Sequence, residues 1–386
     1  MVAITQWNFG SPAAPALADS AAFVAVLPVP TGPDVDERTS SPAPSTPVPH
    51  LYSDFFPRSP MNITNFPRPL KVLALGALAS LALTACGGSS DADTAGDGTV
   101  RVAVFPSFNA LGPRTADLEG VFDKHGLDVE LVTVATPGEA TPQLLGGKID
   151  FALMDMVSPI IAKTEGVDLV MVAPGAVGAA AKDDGLTSGR FWVRADSPIQ
   201  SVADLENATF GIPQTKGQLW LDVREAIDNA GGDSSKTEFV EVPNTLAALR
   251  SGSVDVVTTA EPSGTATLND PDLRVLDHFV NAGGDLSYAY VTTPRYAAEN
   301  AENVEKFRDA VVEANTMLAE QDGLAAEVAA TYIEVDPAIL SQAIYPKFPT
   351  TPITEDNIDS TLDRMVRYGL VQEADAPAPG DMIVGG

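Results

Sequence analysis

The chain has 386 residues, with 52 acidic against 23 basic side chains, a formal net charge of −29 and a single cysteine. A surface that negative repels phosphate backbones and anionic headgroups, which argues against nucleic-acid binding and polybasic membrane attachment. One cysteine rules out a disulfide within the chain, and the length allows two domains of ordinary size.

Residues 1–60 are rich in Pro, Ala and Ser, as in the run Ser40-Ser-Pro-Ala-Pro-Ser-Thr-Pro-Val-Pro49, and keep neither a helical nor a strand period. They read as a disordered extension or a mis-assigned start, with translation expected to begin at Met61. Residues 61–85 read as a lipoprotein signal peptide. Arg68 and Lys71 precede an apolar run from Val72 to Leu83, and the small residues Thr84 and Ala85 lead to Cys86. The Cys86 thiol is the expected lipidation site and the new amino terminus. The competing reading, a buried core cysteine, conflicts with the Gly-Gly-Ser-Ser-Asp run that follows at once. Residues 86–98 form a small, acidic tether. No later apolar run approaches the ~20 residues of a membrane span.

The globular part opens with a β-branched strand, Val100 to Phe105, and a turn from Pro106 to Pro113. Leu118, Val121, Phe122 and His125 fall on one face of a single expected helix, which Gly126 ends in a left-handed cap. Strands follow at 129–134, 151–154 and 169–172 with helices between. This alternation means parallel strands joined by crossover helices. The series then repeats, with strands at 209–212, 238–242, 254–258 and 273–276 and a helix marked by Leu219, Val223 and Ile227. Leu144, Gly147 and Asp150 share the spacing L-x-x-G-x-x-D with Leu249, Gly252 and Asp255. In each, the Leu packs a short helix on the sheet, the Gly turns the chain and the Asp opens a buried strand.

Strands at 191–194 and 288–292 read as the passages between halves. Val304, Phe307, Val311 and Leu318 share one face of a long helix. Asp336 and Thr354 cap two more, the second with Ile358, Leu362, Met365 and Val366 inward. The expected fold is α/β, two lobes with mostly parallel sheets flanked by helices and joined by two crossings. Lobe 1 takes residues 99–192 and 286–386, whose carboxy-terminal helices are expected to cover it, and lobe 2 takes 193–285.

No catalytic or metal motif is present: HExxH, a Walker loop, a strand-linked GxGxxG and GxSxG are all missing, and past Cys86 only His125 and His278 remain. No cofactor is expected. In open α/β sheets a ligand sits beyond the carboxyl ends of the strands, near helix amino termini. Those positions fall at Ser107 and Asn109, at Asp155 and Ser158, at Thr215, Lys216 and Gln218, and at Glu261. Ser107, Ser158 and Thr215 have helix capping as their plain alternative, and Lys216 has simple solvation. Asp155, between Met154 and Met156, needs a partner such as a ligand amine. Glu261 could meet a ligand or form a salt link made when the lobes close.

Val100-Arg-Val-Ala-Val-Phe105, Phe122-Asp-Lys-His-Gly-Leu-Asp-Val-Glu-Leu131, Leu145-Gly-Gly-Lys-Ile-Asp-Phe151, Ile199-Gln-Ser-Val-Ala-Asp-Leu205 and Leu249-Arg-Ser-Gly-Ser-Val-Asp-Val256 with Glu261-Pro262 come in this order behind the Cys86 motif. In that order they resemble the solute-binding lipoproteins of ABC importers, specifically the nitrate, sulfonate and taurine group that includes binders of thiamine pyrimidine precursors. The resemblance covers most of 99–345. It implies a type II periplasmic-binding-protein fold, a small solute held in the cleft, an ABC permease and its ATPase as partners, a monomer, and a bacterial location outside the cell membrane. Where members of that group often carry a Gly-Ser or Ser-Thr anion-binding turn, this sequence has Thr215-Lys-Gly-Gln218. That difference, with Asp155 and Glu261, suits a solute with a cationic or hydrogen-donating end. Two alternatives stand beside transport: an enzyme on the same fold, resembling pyrimidine synthases, and a surface sensor.

Overall fold

The computed structural model describes residues 98–134, 137–180, 187–281 and 285–385. The expected extension, signal peptide, Cys86 and nearly all of the tether lie outside the described residues. The strands are β1 (Val100–Val104), β2 (Val129–Thr133), β3 (Phe151–Asp155), β4 (Val170–Ala176), β5 (Arg190–Arg194), β6 (Thr209–Ile212), β7 (Glu238–Glu241), β8 (Val256–Thr258), β9 (Leu273–His278) and β10 (Tyr288–Thr292). They form two sheets, ordered β2-β1-β3-β10-β4 and β7-β6-β8-β5-β9. In each, the fourth strand runs antiparallel to both neighbours, β10 against β3 and β4, β5 against β8 and β9. The others are parallel with one another, as the βαβ alternation predicts. β10 and β5 are the strands on which the chain arrives from the other half, so their reversed direction follows from the two crossings.

Helices α1 (Leu111–Leu118), α2 (Val121–Lys124), α3 (Pro137–Leu145) and α4 (Val157–Thr164) accompany the first sheet. The second carries α5 (Gln218–Asn229), α6 (Thr245–Ser251) and α7 (Ser263–Thr267). After β10 come α8 (Pro294–Glu299), α9 (Ala301–Glu320), α10 (Leu324–Ala329), α11 (Pro337–Gln342) and α12 (Glu355–Arg367). The expected single helix through Leu118 and His125 is two. Gly120 takes a left-handed φ of 68° between α1 and α2, and Leu118 is left exposed. Helix α1 also begins inside the expected turn, at Leu111. Gly126 is left-handed as expected, and His125 Nε2 lies 2.9 Å from Glu313 of α9.

The L-x-x-G-x-x-D device is the same twice. Leu144 and Leu249 are buried, and Gly147 and Gly252 have φ of 66° and 75°. Asp150 accepts from the Arg101 N–H of β1 at 2.8 Å, and Asp255 accepts from the Thr209 N–H of β6 at 3.0 Å. In both halves the carboxylate closes the end of the first strand's backbone, and burial raises the Asp150 pKa.

Val304, Phe307, Val311 and Leu318 of α9 are buried as the spacing predicts; Phe307 stacks on Phe151 of β3 with ring centroids 4.2 Å apart. Helix α12 departs from expectation. Thr354 and Asn357 cap it reciprocally and Ile358, Leu362 and Met365 are buried, yet it does not cover the first half alone. Its buried Arg364 pairs with Asp222 and Glu225 of α5, beside the second sheet. One apolar cluster accordingly runs from Met154 and Ile160 through Phe191 and Trp220 to Ile358 and Met365. The physical reason is that α12 is amphipathic with an arginine at the edge of its apolar face, and a buried guanidinium goes where carboxylates are.

Candidate functional site

The two sheets turn strand ends toward one another, and between them lies a cavity of ≈ 140 Å³. A single water needs about 10–15 Å³ on this measure, so the space is molecular in size but small. Ser107 and Asn109, after β1, and Tyr288, at the start of β10, form one wall. Gln218 and Asp222 of α5 and Thr258 to Glu261, at the end of β8 and just beyond it, form the other. Gly178, Gly189 and Ser287, from the two crossings, also line it, as do Ile344 and Pro346.

Four of the eight expected positions line this cavity: Ser107, Asn109, Gln218 and Glu261. The other four do not, for local reasons. Asp155 is buried and turned onto its own helix: Oδ1 accepts from the Val157 and Ser158 N–H groups, both at 3.0 Å, and Oδ2 from the Ser158 hydroxyl at 2.7 Å. Asp155 thereby answers free amides at the start of α4, and the Ser158 hydroxyl is spent on the same carboxylate. Burial raises the Asp155 pKa, opposed by these hydrogen bonds and by the Gln218 backbone N–H that faces it across from α5. Thr215 donates its N–H and hydroxyl to Glu241 of β7, at 2.7 and 2.6 Å, which holds that carboxyl below the usual carboxylate range. Lys216 is exposed, in a left-handed conformation with φ of 58°.

Glu261 lines the cavity but its charge is answered inside its own half. Arg190 of β5 donates to Oε1 at 2.6 Å, and Thr265 donates its hydroxyl to Oε1 at 3.1 Å and its N–H to Oε2 at 3.0 Å. Both Arg190 and Glu261 belong to the second sheet and its loops, so the pair is not a link made between lobes.

Sequence reasoning missed Asp222, Arg364 and Asn281. Asp222 Oδ1 accepts from Gln218 Nε2 at 3.1 Å and from Arg364 Nη2, and Arg364 Nε donates to Glu225 at 2.9 Å. Gln218 Nε2 lies 3.5 Å from Asn281 Oδ1; Asn281 Nδ2 donates to Ser287 Oγ at 2.7 Å, and Ser287 Oγ accepts from Gly178 N–H at 3.0 Å. A polar chain thus runs from α12 through α5 into both crossings. Burial raises the Asp222 pKa to about 6, against the lowering effect of Arg364. Burial also pushes the Tyr288 hydroxyl well up, with the charges of Asp155 and Asp222 adding to it. The available sequence signal was the i, i+4 spacing of Gln218 and Asp222 at a helix start. Among the described residues no group of three His, Cys, Asp or Glu is placed to hold a metal ion.

The family model described as NMT1/THI5 like matches residues 107–322, more than half of the chain. No curated protein matches the sequence. Among solved structures, the periplasmic aliphatic sulphonate binding protein of Escherichia coli matches with a TM-score of 0.60 at 19% identity, covering 75% of this chain and 92% of its own. The alkanesulfonate-binding protein of Xanthomonas axonopodis pv. citri, bound to MOPS, matches at 0.60 and 16%, covering 74% and 97%. The periplasmic nitrate-binding protein of Synechocystis PCC 6803 matches at 0.57 and 14%, covering 72% and 83%. Two five-stranded sheets of one strand order facing each other across a cavity are thus the periplasmic-binding-protein fold, and the chain belongs to the NMT1/THI5-like family.

Proposed function

We propose that this protein is the extracytoplasmic solute-binding component of an ABC importer, anchored by lipid on Cys86, that takes a small polar solute between its two halves and delivers it to a permease. The supporting observation is the cavity itself: it lies where strand ends of both sheets and both crossings meet, so a solute there touches both halves at once. Such a ligand favours the closed arrangement by its differential affinity, and a permease reads closure. The solved structures named above, which are sulfonate- and nitrate-binding by their descriptions, support a solute of that size.

Ser107, Asn109, Gln218 and Glu261 are the proposed contacts. A micromolar dissociation constant corresponds to about 8 kcal/mol, within reach of a few hydrogen bonds in a dry cleft. No described helix is long and apolar enough to cross a membrane; the proposed attachment is Cys86, from the motif around it.

Calorimetry and small-angle scattering with taurine, alkanesulfonates, nitrate and aminopyrimidines test the reading. Saturable heat with a smaller radius of gyration is expected for one class. Neither heat nor compaction with any of them overturns it. Palmitate labelling that persists in Cys86→Ser would overturn the anchor alone.

A further inference from the structure

Three buried carboxylates stand at or next to the cavity, and their oxygens are not equally engaged. Both oxygens of Asp155 accept from α4, and both oxygens of Glu261 accept from Arg190 or Thr265. Asp222 differs. Its Oδ1 takes Gln218 Nε2 and Arg364 Nη2, while its Oδ2 accepts no hydrogen bond among the described residues, although the residue lines the cavity at 6% exposure.

A second observation lies one helical turn earlier. Gln218 is 4% exposed and lines the same cavity, and its Oε1 is buried without a partner among the described residues. Its Nε2 is already committed to Asp222 and Asn281, so the amide cannot turn over without losing both. Residues four apart on a helix are neighbours about 5–6 Å apart at Cβ. The α5 wall thus offers two acceptors that have no donor among the described residues. A buried acceptor without a donor is destabilising, so Gln218 Oε1 calls for a hydrogen-bond donor, and Asp222 Oδ2 beside it can take another from the same group.

Resting on the solute-binding reading above, we infer that Asp222 selects the solute, its Oδ2 accepting from an amine or ring N–H while Gln218 Oε1 accepts from a second N–H of the same group. Arg364 makes this possible. It neutralises the carboxylate from α12, so the solute need not be a cation, and it fixes the carboxylate plane because its own Nε is tied to Glu225. Positioning before binding leaves less freedom to lose on association. An oxyanion against the same wall would set its lone pairs against those of Oδ2 and Oε1.

The test uses matched probes that differ by one amino group, 4-aminopyrimidine against pyrimidine and taurine against ethanesulfonate, titrated into the full chain by calorimetry. The amino member of a pair is expected to bind at least tenfold more tightly. In Asp222→Asn, Arg364 holds the amide oxygen and the amide nitrogen replaces Oδ2, so a donor meets a donor and the preference collapses. Gln218→Met removes the second acceptor at similar volume and is expected to narrow the preference too, which keeps the test usable if Asp222→Asn does not fold. Equal affinity of both members for the native chain overturns this inference and leaves the transport reading standing, as does an undiminished preference in the folded variants. No binding by either member of either pair, nor by nitrate, overturns both.

Discussion

The first half answers the carboxylates of Asp150 and Asp155 with backbone and hydroxyl groups; the second half answers two of its own with arginines. Asp150 of the first half accepts from the Arg101 N–H, and Asp155 from the Val157 and Ser158 N–H groups and the Ser158 hydroxyl. Beside the second sheet, Glu261 meets Arg190 across 71 positions of sequence and Asp222 meets Arg364 across 142. A carboxylate satisfied by amides at a helix start is fixed by the element it caps. One satisfied by an arginine fixes two elements against each other, and its loss is felt by both.

The largest break in this contrast is Arg190→Met, which leaves Glu261 buried without its cation and is expected to cost about 3–5 kcal/mol of stability by denaturant unfolding. Adding Glu261→Leu to it is expected to restore most of that loss, because an apolar pair of similar volume removes the stranded charge. If the single variant unfolds at the native midpoint, the pair contributes nothing to the fold.

Arg364→Met comes next, at about 3 kcal/mol near neutral pH. Asp222 has an escape by protonation, since burial already raises its pKa in the fold to about 6. The groups facing it are Arg364 from α12, Glu225 on α5 and Tyr288 on β10. A folded pKa above the unfolded one means the folded state binds the extra proton, so this group's contribution to stability falls as pH rises through about 6. The deficit of Arg364→Met is therefore expected to be greatest above that pH and to shrink in mildly acidic buffer. A deficit independent of pH would show that Asp222 does not titrate with folding.

Smaller effects sharpen the likeness of the halves. Gly147→Ala and Gly252→Ala each place a Cβ at positive φ in ordinary van der Waals contact, the nearest atoms being 3.7 and 3.6 Å away on arginine side chains. Each is expected to cost about 1–2 kcal/mol from backbone strain, and by equal amounts. Clearly unequal losses would mean that the two turns are alike in sequence and not in energetic role. Thr354→Ala, which removes half of the capping box of α12, is expected to cost about 1 kcal/mol. Its melting temperature should also fall less than that of Arg364→Met.

Much of this arrangement was legible in the sequence, because it depends on neighbours along the chain. The strand Tyr288–Thr292 has the bounds that its alternation predicts, and the twin L-x-x-G-x-x-D stretches do the same work in both sheets. The break at Gly120 was not legible, since apolar spacing continues through it as though one helix did. Site residues divide the same way. Ser107, Asn109, Gln218 and Glu261, expected from strand ends and a helix start, line the cavity, whereas Thr215 is held by Glu241, which only the parallel pairing of β6 and β7 brings near. Arg364 lies in a helix whose pattern gives no hint of which half it joins, and Asp222 hides among Leu221 and Val223 as an apparently ordinary break in an apolar run.

The place of β10 between β3 and β4 sets an order of assembly during vectorial synthesis. The second sheet is complete once β9 has emerged, since all its strands lie between Arg190 and His278. The first cannot close until Tyr288 to Thr292 returns to it, so β4 must wait unpaired through the making of its counterpart. The portion made later is the one able to mature first, with the ribosome's earliest product left as the last to settle.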